Sequence, residues 1–244
     1  MDITIHQPNF FPRLKILQKI ASSDIWVIMD RVQYVHQEWQ NRTKIVPYNG
    51  DRKEFWISLP VFLPYGVQTV IKDVVQSPIN YRNPKFVNRM KRALESTFSK
   101  SLYWHELKIV LEDIYPYLEM SNLSDINIGI TKSLLSLTGR LPRIIYASGL
   151  PIRGKASQLV ANICHYLDAD RYLCDSGGKR YLDTSLFNKE SQIVWQKWEE
   201  PEEKADGISS WRNISCLNYI AREGTLKFVQ HLNSGDFKIE SDFY

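Results

Sequence analysis

Five consecutive apolar residues, Ile25-Trp26-Val27-Ile28-Met29, stand between Asp24 and Asp30. A run this short, apolar throughout and flanked by carboxylates, matches a strand buried on both faces of a parallel sheet. The residues ahead of it complete a unit. Ile3–Gln7 alternates and is β-branched at Ile3, Thr4 and Ile5, which suits a first strand that Pro8 ends. Phe11-Pro12 then opens a helix, because proline at the first helical position gives up no needed N–H. Leu14, Leu17 and Ala21 keep helical spacing up to Ser22-Ser23. The chain therefore opens as a compact βαβ unit.

The same alternation returns later. Arg143–Ser148 reads as a strand, Lys155–Leu167 as a helix with Leu159, Ile163 and Leu167 on one stripe, and Tyr172–Cys174 as a strand running into Asp175-Ser176-Gly177-Gly178. Ile193–Trp195 adds a short strand; a helix near Trp211–Arg222 is stopped by Gly224, and further helical turns follow around Leu226–Leu232. Between the two ends lie three amphipathic helices. Asn83-Pro84 caps the first, with Phe86, Met90, Leu94 and Phe98 on its inner face; Leu107–Leu118 marks the second, and Ile126–Leu137 the third, with Gly139 at its stop. Arg31–Gly50 is polar and aromatic, precedes a strand candidate at Phe55–Val61, and reads as a functional loop or an inserted hairpin. The expectation is one α/β domain over residues 1–244, a layered fold with a mainly parallel sheet and a helical middle region at about 84–138.

Composition narrows the function classes. With 43% hydrophobic and 24% charged residues the chain is globular, not disordered or low-complexity. No apolar stretch approaches the ~20 residues a membrane span needs, and Met1-Asp2-Ile3-Thr4-Ile5-His6 lacks the features of a signal peptide, so no membrane insertion and a cytoplasmic location are expected. Cys164, Cys174 and Cys216 lack the clustering of a zinc site and read as reduced thiols. A net charge of +4 gives only a weak overall field, which argues against nucleic acid as a partner, although Lys85, Arg89 and Arg92 share the outer face of one helix.

In parallel sheets ligands sit beyond the carboxyl ends of the strands. Three polar clusters fall at such ends: His6-Gln7-Pro8-Asn9, Asp30-Arg31-Val32-Gln33 and Asp175-Ser176-Gly177-Gly178. His6 suits general-base work, since only imidazole titrates near neutrality unperturbed; the alternative is a strand-end histidine bonded to backbone. Asp30 either orients His6 or binds a substrate amine or hydroxyl, or else caps the following turn. Trp39-Gln40-Asn41-Arg42-Thr43-Lys44 groups an aromatic, two amides and two cations, suited to stacking on a ring and pairing with phosphate, or else to an ordinary solvated loop. Gly149–Lys155 has the G-x-x-x-x-G-K spacing, but Ala156 replaces the hydroxyl residue of a P-loop and Pro151 removes an N–H, which leaves a monophosphate site or a structural turn. Cys174 is either a nucleophile or a small buried hydrophobe. The five histidines show no metal-binding spacing, so no metal is expected.

The succession His6-Gln7-Pro8-Asn9-Phe10-Phe11-Pro12, Lys19-Ile20, Ser23-Asp24, Val32-Gln33-Tyr34, Trp39 and Asn41-Arg42-x-Lys44-Ile45 resembles the opening signature of the WbqC-like protein family, and Ser58-Leu59-Pro60-Val61 continues it. Ser148-x-Leu150, Gly154-Lys155-Ala156-Ser157, Ile163-Cys164, Tyr172-Leu173 and Tyr181-Leu182-Asp183 resemble its C-terminal half. The chain departs from that pattern at Arg13-Leu14-Lys15, where the family has tryptophan and glycine, and at Trp198-Glu199-Glu200-Pro201. The resemblance implies a role in bacterial surface polysaccharide (O-antigen) assembly, with an amino acid or other acyl group attached to a sugar amine.

On that expectation the protein is an N-acyl or aminoacyl transferase that needs no cofactor. Its partners would be a nucleotide-linked amino sugar and an activated thioester donor on an acyl carrier or CoA. His6 would be the base and Asp30 its orienter. Gln7, Asn9 and Asn41 would supply donors, Arg42 and Lys44 would hold phosphate, and Trp39 or Tyr34 would stack on a ring, with Gln33, Ser148, Lys155, Asp175 and Ser176 completing the substrate site. Two other classes stay open. A nucleotidyltransferase begins with a similar strand, His-containing turn and helix, and a non-catalytic glycan or nucleic-acid module would use the basic helix face.

Overall fold

A computed structural model describes residues 1–48, 53–77, 84–187, 191–202, 208 and 210–238. Strand β1 (Asp2–His6), helix α1 (Leu14–Ala21) and strand β2 (Ile25–Ile28) form the expected opening unit, with β1 and β2 parallel from Ile3↔Ile25 to His6↔Ile28. Every residue of β2 is buried, as its unbroken apolar run requires.

Two hairpins follow. The polar segment is an inserted hairpin: β3 (Arg42–Ile45) pairs antiparallel with β4 (Phe55–Ser58). The strand expected at Phe55–Val61 is broken, because Pro60 offers no N–H to a ladder, and the chain restarts as β5 (Val61–Phe62), which pairs with β6 (Val75–Gln76). The helical middle comprises α2 (Pro84–Phe98), α3 (Trp104–Ile114) and α4 (Leu123–Ser136). The cap expected at Asn83 lies outside the described residues. Asn122 caps α4 by accepting from the N–H groups of Ser124 and Asp125, and Gly139 follows its end with φ of +72°.

Strand β7 (Arg143–Tyr146), helix α5 (Ala156–Tyr166), and strands β8 (Arg171–Asp175) and β9 (Gln192–Lys197) complete the parallel part of a six-stranded sheet, and β10 (Asp236–Lys238) adds an antiparallel edge. The order is β10-β9-β8-β1-β2-β7. The helix expected from Trp211 begins instead at Cys216, after a short 3₁₀ turn, because Ser215 accepts from Leu217 N–H as its cap. Gly224 does not end this helix, α6 (Cys216–Asn233), but kinks it, with φ 80° and ψ 171°. Glu106 caps the second half by accepting from the N–H and hydroxyl of Thr225, both at 2.6 Å.

The sheet separates two apolar layers. Ile3, Ile5, Ile25 and Val27 pack with Leu159 and Ile163 of α5, whereas Trp26 and Ile28 pack with Leu14 and Leu17 of α1 and with the helical middle and α6. The two crossovers travel in opposite directions, from β1 outward to β2 and from β7 back past β1 to β8. Crossovers of one hand then lie on opposite faces of the sheet. Among the described residues no helix is long and apolar enough to cross a membrane.

Candidate functional site

The chain leaves β1 toward β2 on one side, while β8 leads to β9 on the other, so the strand order reverses between β1 and β8. Such a switch point opens a crevice at the carboxyl ends of the strands. Its opening is visible in the register. The β1–β2 ladder runs to His6 and the β8–β9 ladder to Asp175, but β1 and β8 are paired only at Asp2↔Arg171 and Ile3↔Tyr172. Beyond that point the Thr4 hydroxyl, donating to Leu173 O at 3.1 Å, bridges the strands as they part.

A cavity of about 280 Å³ occupies the gap, lined by residues that include His6, Gln7, Lys19, Tyr172, Cys174 and Asp175, with the exposed Tyr181 at its mouth. Strand alternation sorts these groups. Ile5 and Cys174 belong to the apolar layer of α5, and His6 and Asp175 therefore turn toward α1. There Lys15 and Lys19, one helical turn apart, each place Nζ 3.7 Å from a different oxygen of Asp175, whose Oδ1 also accepts from Gly177 N–H at 2.8 Å. The turn that aims α1 is held under backbone strain: Phe11 is fully buried at φ 41°, and its carbonyl accepts from the hydroxyls of Thr43 and Ser215.

Asn9 Oδ1 lies 3.2 Å from His6 Nε2 and can only accept, so Nε2 carries the proton and Nδ1 the lone pair. Desolvation, followed by the charge of Lys19, pushes the His6 pKa from 6.5 down to about 3 and keeps the ring neutral at pH 7. Asp175 lies well below the usual carboxylate range: its desolvation acts upward but is outweighed by Lys19 and Lys15. Burial raises the Cys174 thiol, against the pull of Lys19, so little thiolate forms there. Cys164, Cys174 and Cys216 are all buried free thiols.

The expected site residues divide into four groups. His6, Gln7, Asn9 and Asp175 meet at the crevice. Trp39 borders it: its carbonyl accepts from Phe10 N–H, the Arg13 guanidinium lies 4.4 Å from its ring, and neighbouring Gln40 donates to Gln7 Oε1. Asp30 occupies the next strand exit, but both its oxygens are taken by Ser148, from the N–H at 2.9 Å and the hydroxyl at 2.6 Å; the acid that bears on His6 electrostatically is Asp175. The remaining residues serve other contacts. Gln33 donates to Val67 O, Tyr34 is buried with its N–H on Thr69 O, and Asn41 donates to Leu59 O. Arg42 lies 4.0 Å over the Trp56 ring and donates to Gln37 O, and Lys44 pairs with Glu54. Lys155, at the start of α5, and Ser176 are exposed. Lys15 and Lys19 escaped the reading of the strand ends because they sit on the helix.

With this geometry in view, the family model described as the WbqC-like protein family matches residues 7–214. The chain belongs to the WbqC-like family. An uncharacterized protein of Mycobacterium tuberculosis is similar, 24% identical over 194 residues that cover 79% of this chain and 80% of that one. No solved structure matches the chain. The family match begins at Gln7, the residue after β1, and contains the strained turn, α1 and β8 through Asp175. A second, larger hollow of about 360 Å³ is lined by Glu199, Glu200, Glu202 and Asp236 together with Lys197 and His231, an acidic wall that disfavours a phosphorylated ligand.

Proposed function

We propose that this WbqC-like protein transfers an acyl or aminoacyl group from a thioester to the amine of a nucleotide-linked amino sugar. The observation that carries this reading is the neutral His6 with its Nδ1 lone pair at a switch-point crevice. The cavity of about 280 Å³ falls just under the ~300–1,000 Å³ of pockets that enclose a whole drug-sized ligand. It suits one end of an extended substrate, with exposed Tyr181 as a platform for a ring beyond it.

In the reaction the sugar amine attacks the thioester carbonyl, forming the C–N bond. The amine proton passes to His6 Nδ1, whose depressed basicity is raised when the negative charge of the bound substrate offsets Lys19, and as the C–S bond breaks the departing thiolate takes that proton. The Gln7 side chain, whose Oε1 already accepts from Gln40, turns its amide N–H groups toward the oxyanion. Asn9 holds the imidazole tautomer throughout.

The test is mass spectrometry of nucleotide-linked amino sugars incubated with the protein and acyl thioesters. A mass gain on the sugar is expected. Folded His6→Ala should lower turnover by ~10²–10⁴, while Cys174→Ser keeps most of it. Pyrophosphate release from ATP without acyl dependence would support nucleotidyl transfer instead, and unchanged turnover in folded His6→Ala would end the general-base mechanism.

A further inference from the structure

Three cations converge on the α1 side of the crevice and face one carboxylate. Lys19 is 2% exposed and lines the cavity, yet its ammonium stands 3.7 Å from Asp175, beyond direct hydrogen-bond length, and has no hydrogen bond among the described residues. Lys15 repeats this arrangement at 3.7 Å from the other oxygen. The Arg13 guanidinium lies over the Trp39 ring, 4.4 Å from its centroid, and its Nε is a buried donor with no partner among the described residues. Its charge reaches the same place, since it acts on His6 and is itself acted on by Asp175. Of the other charges nearby, Glu38 is exposed to solvent outside Arg13, and Arg212, which bears on Lys15, is paired with Glu200 at 3.6 Å.

Buried charges are ordinarily paired and hydrogen-bonded. Here a guanidinium Nε and two ammoniums present donors that no described residue accepts, and the positive charge of the three exceeds the negative charge of Asp175 by two. A ligand that satisfies both deficits carries about two negative charges and several acceptor oxygens in a compact group, which describes a phosphate monoester dianion (about −1.5 to −2 at pH 7) better than a carboxylate.

We infer that Arg13, Lys15 and Lys19 form a phosphate-binding subsite in the β1/β8 crevice, with Asp175 as the resident counter-ion that the bound phosphate replaces on the two ammoniums. This deepens the transferase reading and rests on it only for the identity of the molecule that bears the phosphate. The subsite differs from the cations first suggested by the sequence: Arg42 and Lys44 are engaged with Trp56, Gln37 and Glu54, whereas Lys19 lines the cavity and Lys15 and Arg13 bear on the Asp175 that lines it with Lys19. A phosphate here also lies beside His6, and its negative charge offsets that of Lys19, so occupancy makes the imidazole a stronger base.

The experiment measures binding of inorganic phosphate and pyrophosphate to the full chain by calorimetry and ³¹P NMR, without any turnover. Lys15→Met and Lys19→Met should each weaken binding by ~10-fold or more, whereas Lys108→Met, on the exposed face of α3, should not. Asp175→Asn should tighten binding, because it removes the competing carboxylate; a residue needed only for structure would act in the opposite direction. Circular dichroism verifies each fold, and if Lys19→Met does not fold, Lys15→Met and Arg13→Gln carry the test. Tighter binding of pyrophosphate than of phosphate assigns the subsite to a nucleotide diphosphate, and the reverse to a sugar phosphate. Wild-type binding in folded Lys15→Met and Arg13→Gln, or weaker binding in folded Asp175→Asn, would overturn the subsite. Intact phosphate binding with no acyl transfer would instead overturn the proposed reaction and leave the subsite standing.

Discussion

Asp30 can be assigned to structure or to chemistry by one set of variants. Its carboxylate is 2% exposed and accepts two hydrogen bonds, both from Ser148. Bonds to a charged acceptor contribute ~1.5–3 kcal/mol each, and because Ser148 is itself exposed the lower figure applies, about 3 kcal/mol for the pair. Asp30→Ala should therefore destabilise the protein by about 3 kcal/mol and Ser148→Ala, which keeps its N–H, by about 1.5 kcal/mol. The double variant should cost little more than Asp30→Ala, since both changes act on one network. Urea titrations followed by circular dichroism read these differences as midpoint shifts at constant slope. If Asp30→Ala lost under ~0.5 kcal/mol, the range of an ordinary surface change, yet abolished transfer, Asp30 would be acting in the chemistry and the reasoning from its two bonds to Ser148 would be wrong.

The depressed His6 pKa gives a signed effect on stability. The unfolded imidazole binds its proton near pH 6.5 and the folded one only near about 3, so between those values the unfolded state holds more protons and stability must fall as the pH is lowered. His6→Gln should flatten that part of the profile, measured as melting temperature against pH, while an unchanged slope would show that His6 is not held neutral. Gly178→Ala should cost about 1–3 kcal/mol by overpacking, because a Cβ there would lie 2.5 Å from Cys174 Sγ and 3.1 Å from the Trp195 ring. Cys174→Ala should restore part of the loss, and a Gly178→Ala protein that melts like wild type would refute the contact.

The central strands that the sequence announces most clearly are those whose residues bury themselves. The run at Ile25–Ile28 and the alternation at Ile3–Ile5 lie in the centre of the sheet and read correctly to within a residue. Elements that owe their conformation to a neighbour are the ones that escaped. Asp236-Phe237-Lys238 has no period of its own and becomes a strand through pairing with Lys197-Gln196-Trp195. Gly224 looks like a helix stop in one dimension, but Glu106, which lies 119 positions before Thr225, caps the chain at Thr225 immediately beyond the glycine and lets the helix resume.

The site was legible by the same rule, and only in part. Strand exits located His6, Asp30 and Asp175, but which acid bears on His6 depends on sheet order, and β8 comes to lie beside β1 only because α5 carries the chain back past β2. One further signal was present within the first unit. Thr4 interrupts Ile3 and Ile5, so Thr4 and His6 share a face of β1, while Lys15 and Lys19 share a face of α1. A βαβ unit ordinarily packs apolar helix residues on an apolar strand face. Two polar stripes on consecutive elements oppose that pattern, and they are compatible with folding only if they meet each other where the sheet is open. The fully buried Thr4 marks where β1 and β8 begin to part, and the buried Lys19 stands in the gap that follows. The polar face that would weaken an ordinary crossover thus lines the crevice, and the unspent charge on α1 is what gives that crevice a preference for anions.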